Sequence, residues 1–190
     1  MVYIYLALLF YILSLAAGFL NLQLASAIFG ITSAVTIGMV LTKLFHSVKT
    51  LKESYWEKLA DIWIGAEYPA AIMLYVLSSV GATLLGYFLL AEIPRFGNAE
   101  VDVMEVAGLA VLSMGLVALA VVGLVAMVYL IEVFNRDLYL IQLAAGVRVF
   151  KPHAATFYVV LSIVTLGFLY FYWLYLAWRW ATQLTQLRRL

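Results

Sequence analysis

The chain has 190 residues, of which 67% are hydrophobic and 11% are charged, and its formal net charge is +1. A soluble domain carries about 25% charged residues, so this composition excludes a water-soluble globular fold and predicts that lipid surrounds most of the chain. The nearly neutral charge excludes a basic field for nucleic acid, and the lack of cysteine excludes disulfides, thiolate metal sites and cysteine nucleophiles.

The apolar stretches predict transmembrane helices. A helix needs about 20 apolar residues to cross about 30 Å of hydrocarbon, and these stretches do not alternate apolar and polar residues as barrel strands do. We therefore predict an all-α polytopic membrane protein, a single transmembrane domain over residues 1–190 with about five spans. The spans are expected at residues 2–20, 24–45, 68–91, 104–131 and 155–178. Asn21 and Gln23 interrupt the first two stretches, which predicts a tight helical hairpin there.

Residues 49–64 predict an amphipathic helix on the cytoplasmic face of the membrane. Thr50 and Glu53 have the spacing of a capping box, and apolar side chains follow at a helical period. The charged residues of this helix are Lys49, Lys52, Glu53, Glu57, Lys58 and Asp61, and four of them, Lys49, Glu53, Glu57 and Asp61, are expected mostly opposite the apolar side. One interpretation is a solvated connector with internal charge pairing, and the alternative is a docking surface for a soluble partner. The alternating signs argue against a polybasic lipid-binding patch.

The charges of the connections predict the orientation in the cell membrane. The segments 43–67 and 132–154 are basic and the loop 92–105 is acidic, so positive-inside bias places the N-terminus and both basic segments in the cytoplasm and the acidic loop outside. Five spans then place the C-terminus outside, although the tail carries Arg179, Arg188 and Arg189. Three explanations stay open: residues 138–150 re-enter the membrane, the final helix does not simply cross, or the charge rule fails here.

Two histidines, His46 and His153, fall on the predicted cytoplasmic side. Two imidazoles at one depth are able to ligate a haem or a metal, but interfacial histidines without a special role are the favoured interpretation. The chain has no nucleophile elbow, zinc-protease or phosphate-loop motif, and no ionisable residue near a predicted midplane. We therefore predict no catalytic residue, no metal and no cofactor other than lipid.

Small and hydroxylated residues predict where helices pack. The small residues of the second and fourth stretches form candidate packing surfaces, at Ser26, Gly30, Ala34, Gly38, Gly108, Gly115 and Gly123. Packing within the chain is the default interpretation, and contact with another subunit is the alternative. A second set is expected to bond between helices, to bond its own backbone or to line a pore: Ser33, Thr36, Ser78, Ser79 and Thr83.

Aromatic residues predict a belt at the membrane–water interface. The belt comprises Tyr55, Trp56, Trp63, Tyr170, Tyr172, Trp173, Trp178 and Trp180. A lipid or quinone groove at the C-terminal end is the alternative. Thr165-Leu166-Gly167 followed by Tyr172-Trp173 resembles the Thr-x-Gly…Tyr-Trp signature of an uncharacterised prokaryotic family of small membrane proteins. The resemblance implies a prokaryotic origin and no particular activity.

Three functions compete on the sequence alone. The favoured one is a non-catalytic integral membrane protein that acts by helix packing, as a homo-oligomer or as a subunit of a larger membrane complex. The alternative is a small homo-oligomeric channel or transporter with a pore lined by Ser, Thr and Gly. The third is a lipid-phase enzyme or electron carrier that uses His46 and His153. The expected partners are membrane lipids and either a second copy or other membrane subunits.

Overall fold

A computed structural model describes residues 1–55, 67–92, 103–148, 150–151 and 153–187. In these ranges the chain forms the helices α1 (Val2–Phe19), α2 (Gln23–Ser54), α3 (Glu67–Glu92), α4 (Val103–Ala144), α5 (Ala155–Val164) and α6 (Phe168–Leu187). The helices α1 to α4 are long and apolar enough to cross a membrane. The predicted all-α polytopic membrane class is therefore confirmed.

The turn between α1 and α2 is a Schellman motif, as suits a tight helical hairpin. The Leu22 amide donates to the Ala17 carbonyl over 2.8 Å, and the Asn21 amide donates to the Gly18 carbonyl over 3.1 Å. Asn21 has a φ of +58°, a left-handed conformation that asparagine tolerates better than most residues. The chain thus reverses within three residues, and α1 packs against α2 along its length.

Two helices are longer than the membrane is thick. At 1.5 Å per residue, the 32 residues of α2 and the 42 residues of α4 extend over about 48 and 63 Å, against about 30 Å of hydrocarbon. Both therefore project beyond the hydrocarbon. The projecting C-terminal end of α4 extends to Ala144, so most of the predicted connection at 132–154 is helical.

The predicted start of an interfacial helix at Thr50 is wrong. Thr50 lies inside α2, where its Oγ1 donates to the His46 carbonyl over 3.0 Å in place of capping a new helix with Glu53. Because this segment continues α2 and packs in the core, Leu51 and Lys52 are both buried. Residues 56–64 of the predicted helix, with Trp56, Glu57, Lys58, Asp61 and Trp63, lie outside the described residues.

The fifth predicted stretch forms two antiparallel helices and not one continuous helix. The helical path is broken at Leu166 and Gly167, whose φ angles are +49° and +88°. Phe150, which precedes α5, stacks on Trp180 of α6 with ring centroids 4.2 Å apart. Since residues on either side of the break meet in this way, α5 enters the bundle and α6 returns to the same end. We call α5, the turn and α6 the re-entrant hairpin.

The re-entrant hairpin places the end of α6 beside the end of α2. Thr185 shares a surface cleft with His46, Ser47, Thr50 and Leu51. The described C-terminus therefore lies at the bundle end that carries the lysines of α2. Of the three explanations for the basic tail, the one in which the final helix does not simply cross fits these contacts. Arg188 and Arg189 themselves lie outside the described residues.

Candidate intramembrane binding site

The tip of the re-entrant hairpin borders a cavity of about 390 Å³. All six helices contribute to its wall, most of them with side chains that carry a hydroxyl group. The hydroxyl-bearing lining residues are Tyr11, Ser14, Ser33, Tyr75, Ser79, Thr83, Ser162 and Tyr170. The other lining residues are Gly30, Ala34, Ile37, Met127, Ile163, Gly167 and Phe171. Within the described part of the chain, the lining is uncharged.

The cavity lies level with the middle of α1. The helix α1 spans Val2–Phe19, only 18 residues, or about 27 Å at 1.5 Å per residue, so it barely crosses the hydrocarbon. Tyr11, close to the midpoint of α1, lines the cavity. Polar groups at this depth have no bulk water to bond, so each one needs a partner inside the protein or inside the cavity.

Several of the lining hydroxyl groups already donate to backbone carbonyls. Ser33 Oγ donates to Ala7 O over 2.9 Å, and Ser14 Oγ donates to Ser26 O over 2.8 Å. Thr83 Oγ1 donates to Ser79 O in its own helix over 2.8 Å. The protons of these hydroxyl groups are therefore engaged, and toward the cavity they offer only oxygen lone pairs.

The Ser162 hydroxyl is buried without a hydrogen-bond partner among the described residues. The Tyr170 hydroxyl is also buried, and the Tyr75 hydroxyl is its polar neighbour. Ser162 and Tyr170 are only 4% and 3% exposed, and both line the cavity. An unpaired buried hydroxyl costs about 1–3 kcal/mol, so Ser162 points to an occupant of the cavity that forms a hydrogen bond with it.

The backbone of the hairpin tip is satisfied by local contacts. The Tyr11 hydroxyl donates to the Leu166 carbonyl, and the Gly167 amide donates to the Ser162 carbonyl over 2.6 Å. Leu169 N donates to Thr165 Oγ1 over 3.1 Å at the start of α6. Non-helical backbone at membrane depth is tolerated where it is buried in protein or lines a cavity, and this turn meets that condition.

The base of the re-entrant hairpin is fixed by buried polar side chains of α4. Asn135 Nδ2 donates to the His153 carbonyl over 3.2 Å, and the Trp173 indole donates to Asn135 Oδ1 over 3.0 Å. Gln142 bonds both the amide and the carbonyl of Phe150. Asn135 thus ties the chain entering the hairpin to the helix leaving it, which holds the tip at a fixed depth.

The small residues predicted to form packing surfaces mostly face other helices of the same chain. A Cβ added to Gly30 would lie 3.2 Å from both Ser14 Oγ and Thr83 Cγ2, and one added to Gly38 would lie 2.6 Å from Val76 Cγ2. Ser26 Oγ donates to the Ser14 carbonyl of α1 over 2.9 Å, and Ala34 lines the cavity.

The glycines of α4 divide into two groups. A Cβ at Gly115 would lie 3.2 Å from Leu85 and one at Gly123 would lie 2.9 Å from Ser78 Oγ, so both face α3. A Cβ at Gly108 meets nothing within 4 Å in the described structure. Only the surface around Gly108 therefore stays open to contact from outside the chain.

The predicted polar residues separate into two roles. Ser33 bonds across to α1, and Ser79 and Thr83 line the cavity with it. Thr36 Oγ1 donates to Thr32 O over 2.7 Å and Ser78 Oγ donates to Tyr75 O over 3.0 Å, each within its own helix. Ser33, Ser79 and Thr83 belong to the site, whereas Thr36 and Ser78 are not among its lining residues.

The two histidines lie in separate surroundings. His46 is exposed, its Nδ1 lies 2.8 Å from the Thr42 carbonyl of its own helix, and its ring is packed edge-on to Phe45. His153 is also exposed and lies against Phe157, with ring centroids 4.8 Å apart. None of these contacts is shared, and neither histidine lines the cavity.

The aromatic-belt prediction is wrong for Tyr170, Trp173 and Trp180, which are all buried. Trp173 bonds Asn135, and Trp180 stacks on Phe150. Tyr172 is 53% exposed, while Tyr55 and Trp178 are half-buried.

The charged residues predicted for the interfacial helix differ in exposure where the structure describes them. Lys52 is buried in α2 at 7% exposed, whereas Lys49 and Glu53 are exposed.

Sequence reasoning missed most of the site. Tyr11, Tyr75 and Ser162 have no motif around them, and they line one cavity only because α1 and α3 both pack on α2 while α5 packs on α4 and α6. One local signal was available: Thr165-Leu166-Gly167 places a hydroxyl and a glycine in the middle of an apolar stretch, which is a point where a membrane helix breaks easily. That signal would have located the hairpin tip.

Comparison with protein-family models, with curated proteins and with solved structures finds no match. The class of the molecule therefore follows from its own geometry. It is a helical membrane protein in which the re-entrant hairpin packs against the long helices α1, α2 and α4, with a cavity lined by hydroxyl-bearing residues at the hairpin tip.

Proposed function

We propose that this protein binds an uncharged molecule from the lipid phase in the cavity at the tip of the re-entrant hairpin, as a small membrane binding or carrier protein. The observation that carries the proposal is the buried, unpartnered hydroxyl group of Ser162 at the cavity, beside the buried hydroxyl groups of Tyr75 and Tyr170. An uncharged occupant with a hydrogen-bond acceptor would satisfy Ser162.

The position of the cavity supports this proposal. Transporters place substrate sites near the bilayer midplane, where discontinuous helices leave backbone and polar side chains free to contact the substrate. Here the helix break at Leu166 and Gly167 lies beside the cavity, and Gly167 contributes to its wall. The lining also mixes hydroxyl groups with apolar side chains, which suits a molecule that partitions into lipid.

The non-catalytic packing function has one supporting observation. On the N-terminal half of α4, Val111 and Met114 are 69% and 72% exposed, and Gly108 lies on the same open part of the helix. Because the other small residues already face helices of this chain, a second copy or another membrane subunit would pack here. We keep this as the second candidate function.

We also propose the orientation that the charges favour. The end of the bundle that carries Lys43, Lys49 and Arg136 is placed in the cytoplasm of the cell membrane by positive-inside bias. The described end of α6 lies at the same end, so the C-terminus is cytoplasmic in this proposal.

The binding function is tested by identifying the small molecules that copurify with the protein. Wild type, purified from native membranes in mild detergent, is examined by native mass spectrometry and solvent extraction. The double variant Ser162→Ala, Tyr170→Phe removes these two cavity hydroxyl groups and leaves the cavity shape nearly intact. The matched control is the double variant Thr182→Ala, Tyr5→Phe, which removes one aliphatic and one phenol hydroxyl at exposed positions.

We expect wild type and control to retain a defined small molecule and the double variant to lose it. Each hydrogen bond contributes about 1 kcal/mol net, so losing two weakens retention by roughly tenfold or more. Wild type that carries only bulk lipid, with the cavity filled by water, overturns the proposal.

A further inference from the structure

We infer that the buried end of the ligand is a planar, uncharged ring that carries carbonyl oxygens, which is the chemistry of a quinone head group. This inference rests on the proposed binding function and names the class of molecule bound. It concerns binding alone and involves no electron transfer.

Aromatic side chains supply flat walls for such a ring. Tyr11, Tyr75, Tyr170 and Phe171 all line the cavity. Tyr11 and Phe171 have centroids 5.3 Å apart, and Tyr75 and Tyr170 have centroids 5.7 Å apart. A planar ring gains offset-stacked or edge-to-face contacts against such groups, whereas a flexible acyl chain gains only general apolar contact.

A free hydroxyl proton in the cavity favours a ligand that accepts a hydrogen bond. The Ser162 hydroxyl has no partner among the described residues, so its proton is free to be donated to a ligand. Ser33 and Thr83 already use their protons on backbone carbonyls. A carbonyl oxygen, which accepts hydrogen bonds, matches the Ser162 donor.

The absence of charge in the described lining argues for an uncharged ligand. An ionised group at mid-membrane depth is costly unless an opposite charge is close to it, and the described lining residues are polar, aromatic or aliphatic. A phosphate head group, an amine or a carboxylate would therefore lie at this depth without a counter-charge. A neutral ring with carbonyl oxygens avoids that cost.

The size of the cavity fits a head group and not a whole lipid. About 390 Å³ lies toward the small end of the range of about 300–1,000 Å³ for ligand pockets. A substituted ring fills such a space, and its apolar tail is left to lie among the membrane-facing side chains. Ordered water is the competing occupant, since polar cavities commonly hold it.

The test uses decylubiquinone as the probe, with decylbenzene as an apolar ring of the same tail length. Binding is measured by equilibrium titration into protein-containing lipid nanodiscs, with empty nanodiscs correcting for partition into lipid. We expect saturable binding of decylubiquinone to wild type and to Thr182→Ala, and at least about tenfold weaker binding to Ser162→Ala, Tyr170→Phe. Decylbenzene should bind wild type at least tenfold more weakly than decylubiquinone.

The possible outcomes distinguish a failure of this inference from a failure of the proposed binding function. If wild type retains a native molecule that decylubiquinone does not displace, the ring inference is overturned and the binding function stands. If wild type retains nothing and the probe only partitions into lipid, both are overturned. Equal saturable binding to wild type and to the double variant also overturns the inference, because the two hydroxyl groups would then play no part.

Discussion

The Tyr68 hydroxyl donates to Asp137 Oδ2 over 2.6 Å and so joins the first turn of α3 to the C-terminal part of α4. Asp137 is 1% exposed, and its other oxygen accepts a hydrogen bond from Arg136 Nε at 2.9 Å. A buried carboxylate is tolerated only when it is paired and hydrogen-bonded. This contact therefore fixes the bundle end on which the re-entrant hairpin is anchored.

Replacing Tyr68 with Phe should destabilise the protein by about 1–3 kcal/mol, because the Asp137 carboxylate loses one of its two donors while staying buried. Thermal unfolding in detergent measures the change, and Tyr5→Phe, at a 59% exposed position, serves as the control. Asp137→Asn should lower the free energy of unfolding by less in the Tyr68→Phe background than in wild type. Losses of unfolding free energy that simply add would show that the two residues are not coupled.

Gly38→Ala should destabilise the α2–α3 contact. The added methyl would lie 2.6 Å from Val76 Cγ2, and valine has little rotamer freedom in a helix with which to move away. We expect the free energy of unfolding to fall by about 1–3 kcal/mol, measured by thermal unfolding. Adding Val76→Ala, which removes the clashing methyl, should restore much of that loss.

The matched control for Gly38 is Gly86→Ala in α3, where a new Cβ meets nothing within 4 Å in the described structure. There the gain in helix propensity should leave stability unchanged or raised by about 0.5–1 kcal/mol. Equal effects at both glycines would contradict the close approach of α2 to α3.

Gly167→Ala should destabilise the hairpin tip for two separable reasons. The φ of +88° is unfavourable for any residue with a Cβ by about 1–2 kcal/mol, and the new Cβ would lie 2.9 Å from the Tyr11 hydroxyl oxygen. In a Tyr11→Phe background the closest contact is removed and only the ring carbon Cζ, 3.3 Å from the new Cβ, remains, so Gly167→Ala should lower the free energy of unfolding by less there than in wild type. Unfolding measured on all four proteins of the cycle tests this, and an unchanged cost would place Tyr11 away from the tip.

Cysteine labelling tests the re-entrant path, and the absence of native cysteine makes each introduced thiol unique. Lys49→Cys and Gln186→Cys should react with a membrane-impermeant maleimide from the same side. Leu20→Cys, at the turn between α1 and α2, should react from the opposite side. Labelling of Gln186→Cys together with Leu20→Cys would mean that the C-terminal stretch crosses the membrane, against the antiparallel packing of α5 and α6.

The sequence by itself determined the class of this protein and where its first four long helices begin, but not where α2 and α4 end. Hydrocarbon forces every backbone group into internal hydrogen bonds over a fixed thickness, so a long apolar run is nearly sufficient to define a spanning helix. The same argument located the hairpin turn at Asn21, where polar residues interrupt the apolar run.

Only the tertiary structure decided what the fifth stretch does and which side chains it buries. Apolar and aromatic side chains are accommodated equally by lipid and by protein, so composition does not show that Trp173 and Trp180 face inward or that Tyr172 faces outward. The turn at Gly167 contacts Tyr11, which is far away in sequence, and the cavity exists only where helices from the whole length of the chain meet. Long-range packing, which hydropathy does not encode, therefore assembled the candidate site.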